Sequence, residues 1–140
     1  MKTPLRSFLG FALAAATAVF ASACSNSSDD SQTPAPTPAA TVVFNSPTEH
    51  QTYLPDDTVR ISGTITTAQQ MHGYHISIKR PSDNLVLDTL QVHFHGMQAD
   101  FSHKWKNTLT TAAELEVEVE VVLDHDGNTF TKTRHIHCMP

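Results

Sequence analysis

Residues 114–123 read ELEVEVEVVL, and no other stretch of the chain limits the fold so tightly. Leu115, Val117, Val119, Val121 and Leu123 recur at every second position, with Glu114, Glu116, Glu118 and Glu120 between them. That period puts the apolar set on one face of a pleated strand and the carboxylates on the other. On a helix the same valines would scatter around the axis. From residue 41 onward the chain repeats this kind of segment. Residues 41–44 (TVVF) run into an Asn45-Ser46-Pro47 turn. Residues 58–65 alternate through Val59, Ile61 and Ile65, and residues 72–79 through Tyr74, Ile76 and Ile78. Turn residues 80–84 (RPSDN) precede an apolar, β-branched run over 85–92. Ala99, Phe101 and Trp105 mark a fifth strand, and Asp126-Gly127, a hairpin signal, leads to a last strand over 129–137. Short strands at this spacing, with no long 3.6-residue pattern, specify an all-β sandwich of about seven antiparallel strands.

The N-terminal part obeys other rules. Lys2 and Arg6 are the only charges before Asp29, and residues 8–20 form an apolar run too short for a lasting membrane helix, as in a secretory leader. Ala21-Ser22-Ala23-Cys24 then admits two readings. Small residues at 21 and 23 suit ordinary leader cleavage. Small residues directly before a Cys at the end of the apolar run also resemble the bacterial lipobox, in which that Cys receives lipid; Ala21 stands where a Leu is usual. The following Ser/Thr/Pro/Ala-rich residues cannot bury enough surface to fold and suit a tether. The expected organisation is a lipoprotein signal peptide over 1–23, a disordered tether over 24–40 that begins with lipidated Cys24, and a β-sandwich over 41–140. Lipid on Cys24 would leave Cys138, the other of two cysteines, without a partner in the chain.

Charge narrows the function. The chain has nine Lys and Arg against fourteen Asp and Glu. Loss of a leader carrying Lys2 and Arg6 makes it more acidic still, which argues against nucleic-acid binding. No nucleophile elbow, HExxH, P-loop or dinucleotide fingerprint is present, so the chain is expected not to be an enzyme. The anomaly is nine histidines, all between His50 and His137.

The lipobox-like Cys, the polar tether, a strand ending in Ser-Pro, the Val59-x-Ile61-x-Gly63-x-Ile65 strand and the terminal Glu/Val hairpin with Asp124, Gly127, Asn128, Thr129, Lys132 and Thr133 carry a resemblance. Over about residues 41–137 the chain resembles the immunoglobulin-like domains of bacterial surface lipoproteins, and most of all an uncharacterised Bacteroidetes-type lipoprotein family with several histidines. The resemblance implies an immunoglobulin-like β-sandwich and a lipid-anchored place in the cell envelope, at the outer membrane; it implies no activity. Trp105 departs from the antibody pattern, which places its Trp on the third strand.

The histidines can be placed by register. A two-residue Asp126-Gly127 loop would set Glu118 opposite His135 and Glu116 opposite His137 on the solvent face, with Val117 opposite Ile136 and Leu123 opposite Phe130 on the core face. Lys132 and Arg134 would then point inward, a cost that snorkelling at an edge relieves. The outward positions of the third strand would be Met71, Gly73, His75 and Ser77, which brings His75 to the other side of Glu116 and Glu118. His75, Glu116, Glu118, His135 and His137 would share one face, a donor mixture suited to copper or zinc. His93 and His95, with Met97, form a second potential ligand group. The bland alternative is a solvated Glu/His face held by weak cross-strand pairs. His72 and His103 fall on apolar faces and read as core histidines; His50 and His125 fall in loops. The expected function is a lipid-anchored extracytoplasmic protein that binds a copper or zinc ion. The alternative is a non-enzymatic adhesion or assembly module that binds protein or glycan; no particular protein partner is indicated.

Overall fold

The computed structural model describes residues 39–140. The expected leader over 1–23, the lipidation of Cys24 and nearly all of the tether lie outside the described residues. Among the described residues there is no helix. The strands are β1 (Ala40–Ser46), β2 (Gln51–Tyr53), β3 (Thr58–Arg80), β4 (Leu85–Lys106), β5 (Ala113–Val122) and β6 (Thr129–Cys138). The sheet path runs β1-β3-β5-β6-β2, with β4 on the other edge of β3.

Two of these strands are unusually long, and each does the work of two expected ones. The first half of β3 pairs with β1 and with the second half of β4. Its second half pairs with β5 and with the first half of β4. Between the halves the β3–β4 register shifts from Thr66↔Gln98 to Met71↔Gly96, so residues 67–70 bulge from the ladder. Thr67 Oγ1 pins the bulge by donating to the carbonyls of Gln69 (2.5 Å) and Met97 (3.3 Å). A bulge bends and twists the strand that carries it. Here it folds one continuous sheet into the two leaves of an immunoglobulin-like sandwich. The leaves meet through Tyr74 against Phe101, with ring centroids 6.4 Å apart, and through the Arg134 guanidinium over the Phe44 ring at 5.2 Å.

Leu115, Val117, Val119 and Val121 are fully buried with Val59, Ile61, Ile65, Ile76, Ile78 and Ile136, so the alternation of residues 114–123 reports the core face correctly. Gly63 belongs to this packing: a Cβ there would stand 2.0 Å from the Val43 carbonyl oxygen and 2.5 Å from the Phe101 ring. Cys138 is free and also fully buried, and burial pushes its thiol up to about 11. Its thiolate, the reactive form, is therefore scarce at neutral pH.

Several sequence expectations need correction. β2 is a short additional strand, and it pairs with β6 in parallel, not antiparallel. β1 already begins at Ala40, which is buried. Inside β3, Gly73 (φ 142°) sits at a second register shift, and the buried positions change from Met71 and Gly73 to Tyr74, Ile76 and Ile78. Met71 is therefore core rather than outward-facing, and His72 leaves the apolar face.

The β5–β6 register also differs, by two residues. Glu116 lies opposite His135, Glu114 opposite His137 and Glu118 opposite Thr133. On the core face Leu115 meets Ile136, Val117 meets Arg134 and Val121 meets Phe130. The cause is the loop. Asp124 Oδ1 accepts from the backbone N–H of Asp126 (2.9 Å) and of Asn128 (3.1 Å), and Leu123 N–H donates to the Asn128 carbonyl at 2.9 Å. This Asx-type turn outcompetes the tight two-residue hairpin. A slip by an even number of residues keeps every side chain on its face, so the expected faces survive while the partners change.

Candidate functional site

The new register separates the five residues expected to share one site. His75 lies opposite Glu120, with Nδ1 3.5 Å from Oε1. His135 lies opposite Glu116, with Nε2 3.4 Å from Oε1. Glu116 and Glu120 are four residues apart on one strand, about 13 Å. Between them the Lys79 ammonium sits 2.5 Å from Glu118 Oε1 and occupies that carboxylate. His75, Glu116, Glu118, His135 and His137 are thus on one face, as expected, but of the five only His135 and Glu116 pair with each other, while His75 pairs with Glu120 and Glu118 with Lys79.

The nine histidines instead sort into two ring groups and two carboxylate pairs. The pairs are His75 with Glu120 and His103 with Asp88, the latter at 2.7 Å from Nε2 to Oδ2.

The first ring group gathers where β2 meets β6. His50 stacks near His135 (centroids 5.9 Å) and His137 (5.4 Å). The preceding residue, Glu49, clamps β6. Its carboxylate accepts from the His135 backbone N–H (3.1 Å), the His135 Nδ1–H (2.8 Å) and Arg134 Nη1 (2.9 Å). His50 N–H donates to the His135 carbonyl at 2.8 Å, and His50 itself adopts a left-handed conformation (φ 58°). Partial burial pushes the Glu49 carboxyl up, but hydrogen bonds from His135 and Arg134, with the Arg134 charge, outweigh it and hold its pKa at about 2. His135 moves the other way: its bond to Glu49 and the charges of Glu49, Glu116 and Glu114 raise its pKa against desolvation. Arg134, the inward cation that counted against the hairpin, is accommodated by Phe44 and Glu49.

The second group lies at the far end of β5, beside the β5–β6 loop. The Nε2 atoms of His93 and His95 are 3.0 Å apart. His72 packs edge-on to His95 (centroids 5.0 Å) and against His125 (3.8 Å). Burial of its ring and the neighbouring imidazoles His125 and His95 lower the His72 pKa. His72 Nδ1 is buried and makes no hydrogen bond among the described residues. The turned bulge at Gly73 produces this group, because it rotates His72 out of the core. A Cβ on Gly73 would meet the Val92 carbonyl oxygen at 2.3 Å, so glycine is required there. His93 and His95 are on one side of β4, as expected. His125 and His72, read from sequence as a loop residue and a core residue, are the two partners the sequence reading missed; a Gly directly after His72 was the available signal.

Among the described residues, no three or more His, Cys, Asp or Glu side chains already stand in an arrangement that holds a metal ion. An open hollow lined by His72, His75, His93, Asp124 and His125 accompanies the second ring group. A larger hollow of about 650 Å³ lies at the opposite end, between residues 80–83 and 111–114. Of its charged lining residues Arg80, Asp83 and Glu114, the first two pair with each other at 2.8 Å.

No protein-family model matches the chain, and no curated protein matches it. The fold is similar to part of OgpA from Akkermansia muciniphila, with a TM-score of 0.51 and 15% identity over 71% of this chain. Catalytically inactive OgpA in complex with an O-glycopeptide (glycodrosocin) substrate matches similarly, with a TM-score of 0.50 and 15% identity over 71% of this chain. The chain spans 28% of OgpA's length. Fibronectin(III)-like modules of Clostridium thermocellum CbhA align at a TM-score of 0.45 and 13% identity, over 71% of this chain and 96% of that one.

Proposed function

We propose that the chain is a lipid-anchored, extracytoplasmic immunoglobulin-like module, without catalysis of its own, that binds a Cu²⁺ or Zn²⁺ ion through its histidines. The observation that carries the reading is the second ring group. His72, His93, His95 and His125 meet ring against ring, whereas His75, His103 and His135 each have a carboxylate at 3.5 Å or less. Neutral imidazoles without an anionic partner are the usual ligands of borderline divalent ions. The lipid anchor rests on Ala21-Ser22-Ala23-Cys24 and the polar run behind it. Membership of the Bacteroidetes-type lipoprotein family rests on the same residues and on the fold.

The test is metal retention by the full chain. Metal-free protein is loaded with CuCl₂ or ZnCl₂, desalted and measured by elemental analysis and thermal melting. Retained metal together with a raised Tm supports the reading, since an ion that prefers the folded state stabilises it by mass action. Neither effect with either metal would end it.

A second reading is an adhesion or assembly module that binds protein or glycan, for which the similarity to part of OgpA supplies a ligand to try. Because OgpA is seen with an O-glycopeptide substrate, glycopeptides are the first ligands to try. Glycopeptide binding by metal-free protein would support that reading over the first.

A further inference from the structure

We infer that His72, His93, His95 and His125, at the end of the β5–β6 hairpin, are the ligands of that metal ion; this assignment rests on the metal-binding reading above. The spacing of His93 and His95 is the first reason. Metal–nitrogen bonds of about 2.0–2.1 Å place adjacent imidazole nitrogens about 2.9 Å apart at a right angle and about 3.3 Å apart at a tetrahedral one. The two Nε2 atoms already stand at 3.0 Å. Their rings are nearly perpendicular (88°), so the two nitrogens come this close without overlap of the rings. An ion there replaces one weak N–H···N bond by two coordinate bonds.

The second reason is His72 Nδ1. A buried polar atom without a hydrogen bond is uncommon and costly. This one sits on a ring packed between His95 and His125. Gly73, at φ 142° and with no room for a Cβ, sets that placement.

The third reason is donor chemistry. Asp124, the carboxylate beside the group, is consumed by the turn: it accepts from Asp126, from the Asn128 backbone and, at 2.6 Å, from Asn128 Nδ2. The available donors are all imidazole, which disfavours the oxygen-seeking Ca²⁺ and Mg²⁺ and suits Cu²⁺ and Zn²⁺. His93, His95 and His125 are exposed, so their rings can turn to close the shell at small packing cost. The other ring group fits worse, because His135 is held by Glu49 on one nitrogen and faces Glu116 with the other.

The experiment is a calorimetric titration of the full chain with Cu²⁺ and with Zn²⁺, in wild type, H93Q/H95Q and H135Q/H137Q. Glutamine at exposed positions 93 and 95 keeps the strand polar, and melting of the metal-free variants checks the fold. Wild type should bind one equivalent. H93Q/H95Q should lose affinity by at least about tenfold, the low end of what loss of even a supporting group costs a metal site. H135Q/H137Q should retain it. Loss in H135Q/H137Q but not in H93Q/H95Q, or equal loss in both, overturns the assignment while the metal-binding reading stands. No binding by wild type overturns both.

Discussion

Asn107 shows how much one polar side chain can secure in a small sandwich. It is fully buried, and its Nδ2 donates to the carbonyls of Leu54 (3.0 Å) and Met139 (2.9 Å), while its Oδ1 accepts from Leu109 N–H (3.2 Å). It ties the loop after β2, the end of β4 and the tail after β6 together. Asn107→Ala leaves these carbonyls and the amide unpaired, and urea unfolding should show a loss of about 2 kcal/mol or more. Glu49 works at a similar scale through charge. Its folded pKa of about 2 lies below the ordinary 4.5, so its contribution is present above 4.5 and is lost as the pH falls through 2. The pKa of His135 is raised above 6.5, so its contribution is present below 6.5 and is lost as the pH rises through the folded value. The Tm gap between wild type and Glu49→Gln should therefore be widest between pH 4.5 and 6.5 and should narrow on both sides. A gap independent of pH would show that Glu49 acts by shape or hydrogen bonding alone.

At the scale of the element, β5 is the part of the fold most legible in sequence. Val119→Asp puts an unpaired carboxylate into the fully buried row and should cost several kcal/mol. Glu118→Lys removes the ion pair with Lys79 and should cost about 1 kcal/mol or less. Chemical denaturation of both variants checks the faces. The seven expected segments all exist as strand, because alternation reports burial residue by residue. What alternation could not report was continuity and register. Residues 67–70 read as a break between strands, yet Thr67 holds them as a bulge inside β3. Asp126-Gly127 read as a two-residue turn, yet the Asp124 side chain stabilises a longer one and moves His135 from Glu118 to Glu116. Gly73 lies inside an otherwise regular pattern, and a period of two extrapolated through it misplaced both Met71 and His72. The candidate site was therefore only half visible. His93 and His95 were found from their i, i+2 spacing, whereas His72 and His125 come from a bulge and a loop, where periodicity carries no information.

Over the whole molecule, the two ring groups stand at opposite ends of β5. His137 pairs with Glu114 at its start and His125 follows its last residue, Val122, about 26 Å further along. One group is bound into carboxylate contacts that fasten the β2–β6 edge; in the other the imidazoles meet one another, His93 and His95 at 3.0 Å. On the metal-binding reading, the same fold keeps some histidines for stability and leaves others for an ion. The proposed lipid anchor is a separate matter: if Cys24 carries lipid, Cys24→Ser should shift the chain from the membrane to the soluble fraction, and unchanged fractionation would remove the lipid from this picture. Metal binding by imidazole is tested most directly by electron paramagnetic resonance of the full chain titrated with Cu²⁺ at neutral pH. Coordination by the histidines predicts a single species at one equivalent, with nitrogen superhyperfine splitting from several imidazoles. A spectrum of free or oxygen-ligated Cu²⁺ at one equivalent would contradict it.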